Sequence, residues 1–227
     1  MKKLTLLCLL SFVSATVFAQ QNASKSTDRY TDLTIGFGSK QTTIATSYFK
    51  DWTIGKKQRL FIGTGLRFNA VMSNGQSFLS APPKLANTVA NTDTLTGSKT
   101  QLYTFNLALN LGYHLSSKID IGFNIDMLGF SFGPSKSALF VQNGNAVNTT
   151  AKPTGFNVLL VGTNDRGTLN SEFYIKYKAS QKVHLKLALQ HYFTELTTST
   201  KVQTAPMMND RFRNISDLVA FGVSYHF

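Results

Sequence analysis

The feature that most constrains this chain is a period of two. In stretch after stretch from Tyr30 onward, large apolar side chains alternate with small or polar ones, and helical periodicity is essentially absent. The clearest stretch sets Tyr103, Phe105, Leu107, Leu109, Leu111 and Tyr113 against Thr104, Asn106, Ala108, Asn110, Gly112 and His114. Successive side chains of a strand point to opposite faces, so such a segment has one apolar and one polar face. Eight stretches read this way: about 30–38, 42–54, 59–72, 99–115, 118–132, 168–179 and 182–196, and a last one through 217–227. In the fifth, the apolar parity slips near Leu128 and Gly129, and a bulge at Gly129 is expected.

The connections sort into two kinds. Those at 55–58, 116–117 and 180–181 are tight, whereas 73–98, 133–167 and 197–213 are long, and only the first connection, 39–41, breaks the pattern. An even number of antiparallel strands with short turns at one end and long loops at the other is the asymmetry of a closed barrel in a membrane. A soluble up-and-down barrel shares the topology with its faces reversed, and parity alone does not say which face is outward. Lipid on the outside is favoured by an almost continuous apolar face of Phe, Leu, Ile and Tyr. The opposite face mixes Gly and Ala with opposite charges, which suits a packed polar interior. Aromatic residues also fall toward both strand ends, with Trp52, Tyr113, Tyr177, Tyr225 and Phe227 at one and Phe68, Tyr103, Phe130, Phe173 and Phe193 at the other.

The first residues read as an export signal. Lys2 and Lys3 precede an apolar core at 4–13, and Val17-Phe18-Ala19 fits a cleavage site. The expected division is therefore 1–19 signal peptide, 20–29 short tail and 30–227 strand domain. At about 16 apolar residues the leader is too short to span a bilayer. Cys8, the only cysteine, lies inside it, so the mature chain has no disulfide and no cysteine metal site. The net charge of +12 is scattered rather than gathered into a basic run, which argues against nucleic acid and fits anionic lipid or lipopolysaccharide headgroups.

The last stretch alternates Val219, Phe221, Val223, Tyr225 and Phe227 with smaller groups. With the leader and the eight stretches, it resembles the C-terminal assembly signal of the small outer-membrane β-barrel domain family, of the OmpX, OmpA-barrel and PorT-like kind. The segments 155–160 and 167–172 also look like a pattern in uncharacterised members. The resemblance implies an all-β, eight-stranded antiparallel up-and-down transmembrane β-barrel in the bacterial outer membrane. It further implies recognition of Phe221, Val223, Tyr225 and Phe227 by the barrel-assembly machinery. It names no activity, and no further domain is expected after Phe227.

The inward parity carries the candidate site. Asp32, Asp51, His114, Asp120, Lys178, His184 and His226 fall near the tight-turn end, with His184 and His226 on adjacent strands. Arg67, Asp126, Glu172, Lys176 and Lys186 form a second tier. Imidazoles and carboxylates could hold a metal, but a paired network filling a narrow interior is the expectation, with no cofactor and no metal. Among the few small barrels that act on lipid A, a deacylating hydrolase would need a His and a Ser two residues apart on the lipid face with a carboxylate nearby, and a palmitoyl-transferring acyltransferase a His, Asp and Ser in the external loops, where this chain has no histidine. The only histidine of lipid-face parity is His191, whose i+2 neighbour is Phe193, and no serine is expected in register. In the fifth connection, Phe156, Val158, Leu159, Leu160 and Val161 are too apolar for a free loop, and are expected to cap the interior, prolong a strand or bind a partner.

The expected role is structural or interactive, with long external loops as the contact surface for an extracellular partner. A narrow channel for ions or small solutes is the alternative, and a lipid A-modifying enzyme stands third. Phe227→Ala should impair membrane assembly more than Phe221→Ala. Wild-type membrane yield and wild-type heat-modifiable gel migration in Phe227→Ala would show the terminal signal to be misread.

Overall fold

The structure, a computed structural model, describes residues 27–97, 99–160 and 164–227. The expected signal peptide and residues 20–26 of the tail lie outside the described residues. Thirteen antiparallel strands, β1 to β13, make up the fold. Eight are the long alternating stretches: β1 (Thr27–Phe37), β2 (Gln41–Ile54), β3 (Leu60–Asn74), β6 (Lys99–His114), β7 (Ile119–Phe132), β11 (Leu169–Lys178), β12 (Val183–Thr198) and β13 (Arg211–His226). Each pairs with two others, in the order β1, β2, β3, β6, β7, β11, β12, β13 and back to β1. The sheet therefore closes on itself, and backbone donors and acceptors that would line a free edge find partners.

The two faces of the ring are unlike. The buried parity points inward, because its side chains meet across the ring, as in Tyr192 Oη donating to Asn69 at 2.8 Å and Lys176 Nζ donating to Asp32 at 3.2 Å. The outward parity is apolar and open, with Leu33, Leu66, Phe105, Ile175, Leu187 and Phe221 each 40–57% exposed. Polar inside and apolar outside is the reverse of the arrangement in a soluble up-and-down barrel. Outward aromatic rings touch along the long-loop end, with Tyr103 stacked between Phe68 at 6.1 Å and Phe132 at 5.6 Å.

Three sequence expectations need correction. The first strand already includes Thr27 to Arg29, ahead of the expected start at Tyr30, because 27–29 pair with 50–52 of β2. The slip in β7 falls at Met127, where Leu107 pairs with Leu128 but Ala108 with Asp126, so Met127 and Leu128 both point outward. Gly129 is already back on the inward parity, where a Cβ would stand 2.2 Å from Asn106 Oδ1. The long connections, finally, are not plain loops. Residues 73–98 hold β4 (Ser77–Ser80), β5 (Thr94–Gly97), a short helix α1 (Pro83–Ala86) and a 3₁₀ turn; residues 133–167 hold β8 (Lys136–Gln142), β9 (Asn145–Pro153) and β10 (Phe156–Val158).

These short strands close a second ring. β12 pairs with β9, β9 with β8, β8 with β5, β5 with β4 and β4 with β13, and β13 with β12 again. The long-loop ends of β12 and β13 thus belong to both rings. Phe78, Leu95, Ala138, Phe140, Ala151, Leu196 and Phe212 fill the second ring with an apolar core, Phe140 edge-on to Phe212 at 5.6 Å. Leu196 and Phe212 share the parity of the interior residues below them, so this core continues the interior of the large ring and covers it. Truncating Phe212 or Phe140 to Ala should cost about 3–5 kcal/mol of this head. Limited proteolysis should then cut within 133–153 while heat-modifiable migration of the large ring persists; loss of both together would show a single cooperative unit.

Candidate functional site

Alternation delivers every predicted inward residue to the interior, and antiparallel register decides which of them meet. Asp32 on β1 is 1% exposed and lies between Lys176 Nζ at 3.2 Å and Lys186 Nζ at 3.0 Å. Lys186 also pairs with Glu172. Glu172 accepts from Asn124 Nδ2 and from Gln190 Nε2, each at 2.9 Å. Arg67 donates to Asn124 and to Asp126, the latter at 3.0 Å. Asp126 is completed by Asn106 Nδ2 at 2.8 Å and the Asn170 amide at 3.1 Å. These contacts form one continuous chain through the middle of the ring. Ions removed from water are tolerable only when each is paired and its remaining lone pairs are used, and that is the arrangement here.

The tight-turn end is assembled separately. Asp120 is held by His114 Nδ1 at 2.7 Å and Lys178 Nζ at 3.0 Å. His226 pairs with Asp28 at 2.9 Å, and its ring lies 3.7 Å, centre to centre, from that of His184. Asp51 departs from the expected charge cluster. Among the described residues no cationic nitrogen lies within 4.0 Å of it, and it accepts instead from Asn110 Nδ2 at 2.9 and 3.0 Å. Asn110 in turn accepts from Tyr174 Oη at 2.9 Å. The cavity lined by these lower residues is about 20 Å³, room for about one water. Among the described residues no group of three or more His, Cys, Asp or Glu is arranged to hold a metal ion.

Inward glycines do not open a passage. A Cβ at Gly122 would meet the Tyr174 ring at 2.4 Å, and one at Gly112 the Phe61 ring at 2.1 Å, so glycine here makes room for the aromatic neighbour across the strand pair. Further up, Val71, Leu102, Tyr192 and Leu218 form an apolar layer beneath the head core.

Asn106, Asn110, Asn124, Tyr30, Tyr174 and Gln190 are as deeply placed as the ions they serve. The inward parity of Tyr174 and Gln190 marks them in the sequence as long side chains filling the interior, whereas it assigns no role to Tyr30 or to the inward asparagines Asn106, Asn110 and Asn124. Asp28 was missed because it sat in the expected tail.

Outside the ring, the four residues of the expected assembly signal all face outward, Phe221 57%, Val223 46%, Tyr225 45% and Phe227 73% exposed. The apolar patch prolongs the sheet. Phe156 and Val158 pair with Phe130 and Leu128 of β7, beyond the point where β11 stops, and the Leu159 amide donates to Met127 at 2.8 Å. Leu160 donates its amide to Asp165 at 2.7 Å, and Val161 lies outside the described residues. The expectation that no serine stands in register with His191 is overturned: β11 sets Ser171 directly beside it, and β13 sets Asp217 on its other side.

No family model and no curated protein matches the chain. Among solved structures, a de novo designed transmembrane β-barrel matches with a TM-score of 0.37 and 8% identity over 88% of this chain and 95% of the other. Neisserial surface protein A matches with a TM-score of 0.39 and 10% identity over 90% and 100%, and the attachment invasion locus protein Ail of Yersinia pestis with 0.35 and 7% over 89% and 97%. At these values no residue role is carried across from them.

The interior makes one quantitative expectation. Arg67→Leu leaves Asp126, which is 0% exposed, without its cation and should destabilise the protein by about 3–5 kcal/mol. Adding Asp126→Leu should restore most of that loss. Urea unfolding in lipid, followed by Trp52 fluorescence, measures both; a double variant as unstable as Arg67→Leu alone would mean that the pair is not the cause.

Proposed function

We propose that this chain is an eight-stranded up-and-down β-barrel of the bacterial outer membrane with a side-chain-filled interior, acting as a structural or interaction protein through the head at its long-loop end. One observation carries the reading: the closed ring is apolar on its outward face and holds a paired ionic network within. An apolar belt around a closed ring has no soluble use of this extent, and lipid is the solvent that matches it. The tight turns then face the periplasm and the head faces outward. The basic balance of the chain favours lipopolysaccharide headgroups as the lipid partner, the alternating end of β13 suits the assembly machinery, and the exposed strands of the head are the surface for an extracellular protein.

A channel is disfavoured by the same interior. The ions lie in a continuous bonded chain, an apolar layer stands above it, and the head core covers both. Opening a path means breaking several pairs at once in a poorly hydrated space. The purified protein should show no porin-like conductance in planar bilayers. Replacing Arg67 and Lys176 together by Ala should destabilise it or produce small flickering currents. Large, steady, saturable conductance from the wild type would replace the filled-interior reading with the channel.

A further inference from the structure

The outward face carries one polar row that the interior reading leaves unused. Ser171, His191 and Asp217 are directly paired across β11, β12 and β13 and all point away from the ring. Directly opposed residues of antiparallel strands have Cβ atoms only about 4.5–5.5 Å apart, so the His191 side chain, on the central strand, neighbours both Ser171 and Asp217. His191 Nδ1 lies 2.5 Å from Asp217 Oδ1, and Ser171 Oγ lies 3.5 Å from the His191 carbonyl oxygen. Among the described residues no hydrogen bond is made to His191 Nε2. The side chains of His191 and Asp217 are 44% and 83% exposed.

Its position is as telling as its composition. The row sits where the outward parity of β13 stops being wholly apolar: Val219 to Phe227 below it, Ile215 and Arg213 above it. It borders a groove of about 420 Å³ whose apolar wall is Phe37, Phe123, Phe173, Leu189 and Val219. On the other side Phe193 packs edge-on to His191 at 5.0 Å, and the Arg213 guanidinium covers Phe193 at 5.5 Å. A carboxylate on the lipid face of a barrel is unfavourable unless it lies at the headgroup level or has a use. Here it orients an imidazole beside a serine, with an apolar trough below; Arg213 above is already paired with Glu195 at 3.0 Å.

We infer that Ser171, His191 and Asp217 form an esterase site for a fatty acyl ester of an outer-leaflet lipid, with the acyl chain in the groove. This inference rests on the reading that the outward face meets lipid. The reaction requires Ser171 Oγ, now 3.5 Å from the His191 carbonyl oxygen, to turn toward Nε2. Nε2 takes the hydroxyl proton as Oγ attacks the ester carbonyl, and the bond from the acyl carbon to the alcohol oxygen breaks. The imidazolium returns the proton to the departing alkoxide. Water, deprotonated by the same nitrogen, then attacks the acyl-serine, releasing a fatty acid and restoring Ser171. No electrons are exchanged with any other group. Asp217 is the positioning residue: it fixes the tautomer with its proton on Nδ1 and stabilises the imidazolium.

The test uses the full chain refolded into vesicles, with heat-modifiable migration checked first; failure at that stage refutes the barrel reading rather than the site. One set of vesicles contains acyl-labelled phosphatidylethanolamine and another acyl-labelled lipopolysaccharide, so the set that releases fatty acid identifies the lipid. A fluorophosphonate probe followed by peptide mapping should place its adduct on Ser171. Ser171→Ala should abolish adduct and release, and His191→Asn should lower release by about 10³-fold or more. Asp217→Asn should lower kcat by about 10²-fold with little change in KM, a split that loss of a merely structural contact would not produce, and Asp217→Glu should recover part of it. Wild-type protein that folds but releases no more fatty acid than Ser171→Ala from either vesicle, or that leaves Ser171 unlabelled, overturns the inference.

Discussion

The closed ladder of backbone hydrogen bonds is the condition on which everything else in this protein depends. A strand with an apolar outer face offers no water on that side to its amides and carbonyls, and on the proposed reading, with lipid there, each unsatisfied group costs several kcal/mol. The eight long strands avoid free edges because β13 returns to β1, from Tyr30 opposite His226 to Phe37 opposite Val219. Closure then dictates the rest of the composition. A ring of this size has an interior just wide enough for side chains, so whatever alternates with the apolar outer face must pack or bond within it. The inward residues are accordingly of two sorts, ions placed to find counter-ions across the ring and amides or phenols placed to finish their hydrogen bonding.

The paired ions also distribute stability unevenly along the axis. Asp32, Lys176, Lys186, Glu172, Arg67 and Asp126 are all at most 5% exposed and hang together through shared partners. Their contribution is therefore collective, and removing one leaves others with unmet charge. At the tight-turn mouth the corresponding groups are less enclosed: the His114 side chain is 30% exposed and that of Lys178 25%. Solvent screens those pairs, so they add little to stability and serve chiefly to close the mouth.

How much of this was legible follows from period and length. The eight long strands could be read because ten or more residues of alternation leave little ambiguity, and the parity of Asp32, Arg67 and Lys186 followed directly. The head could not be read. β4 and β5 have four residues each and β10 has three, too few for alternation to stand out from turn-like composition. The bulge was placed nearly correctly, since the slip is visible, but which residue is extra depends on register with β6. The outward row was missed for a related reason. Ser171, His191 and Asp217 are far apart in sequence, and a search along one strand from His191 meets Phe193; only pairing between strands brings them together.

The sharing of β12 and β13 by two rings offers a reason for the shape of the whole. These two strands have sixteen residues each, while β1 has eleven and turns back at Gly38. Above Phe37, β13 loses β1 as a neighbour and would present a free edge. β4 takes that edge through Phe212 and Arg213, and β9 takes the matching edge of β12 through 196–198. The second ring thus continues the solution that closed the first: unpaired edges are bonded before they reach solvent. Beside this handover Phe37 ends its strand while His191 and Asp217 continue theirs, and a groove lined by Phe37, Phe123, Ser171, Phe173, His191 and Asp217 lies at the level where the outward side chains turn from apolar to polar. If the outward face meets lipid, as proposed, that groove would be reached by an acyl chain from its apolar side, with Ser171 at its polar edge.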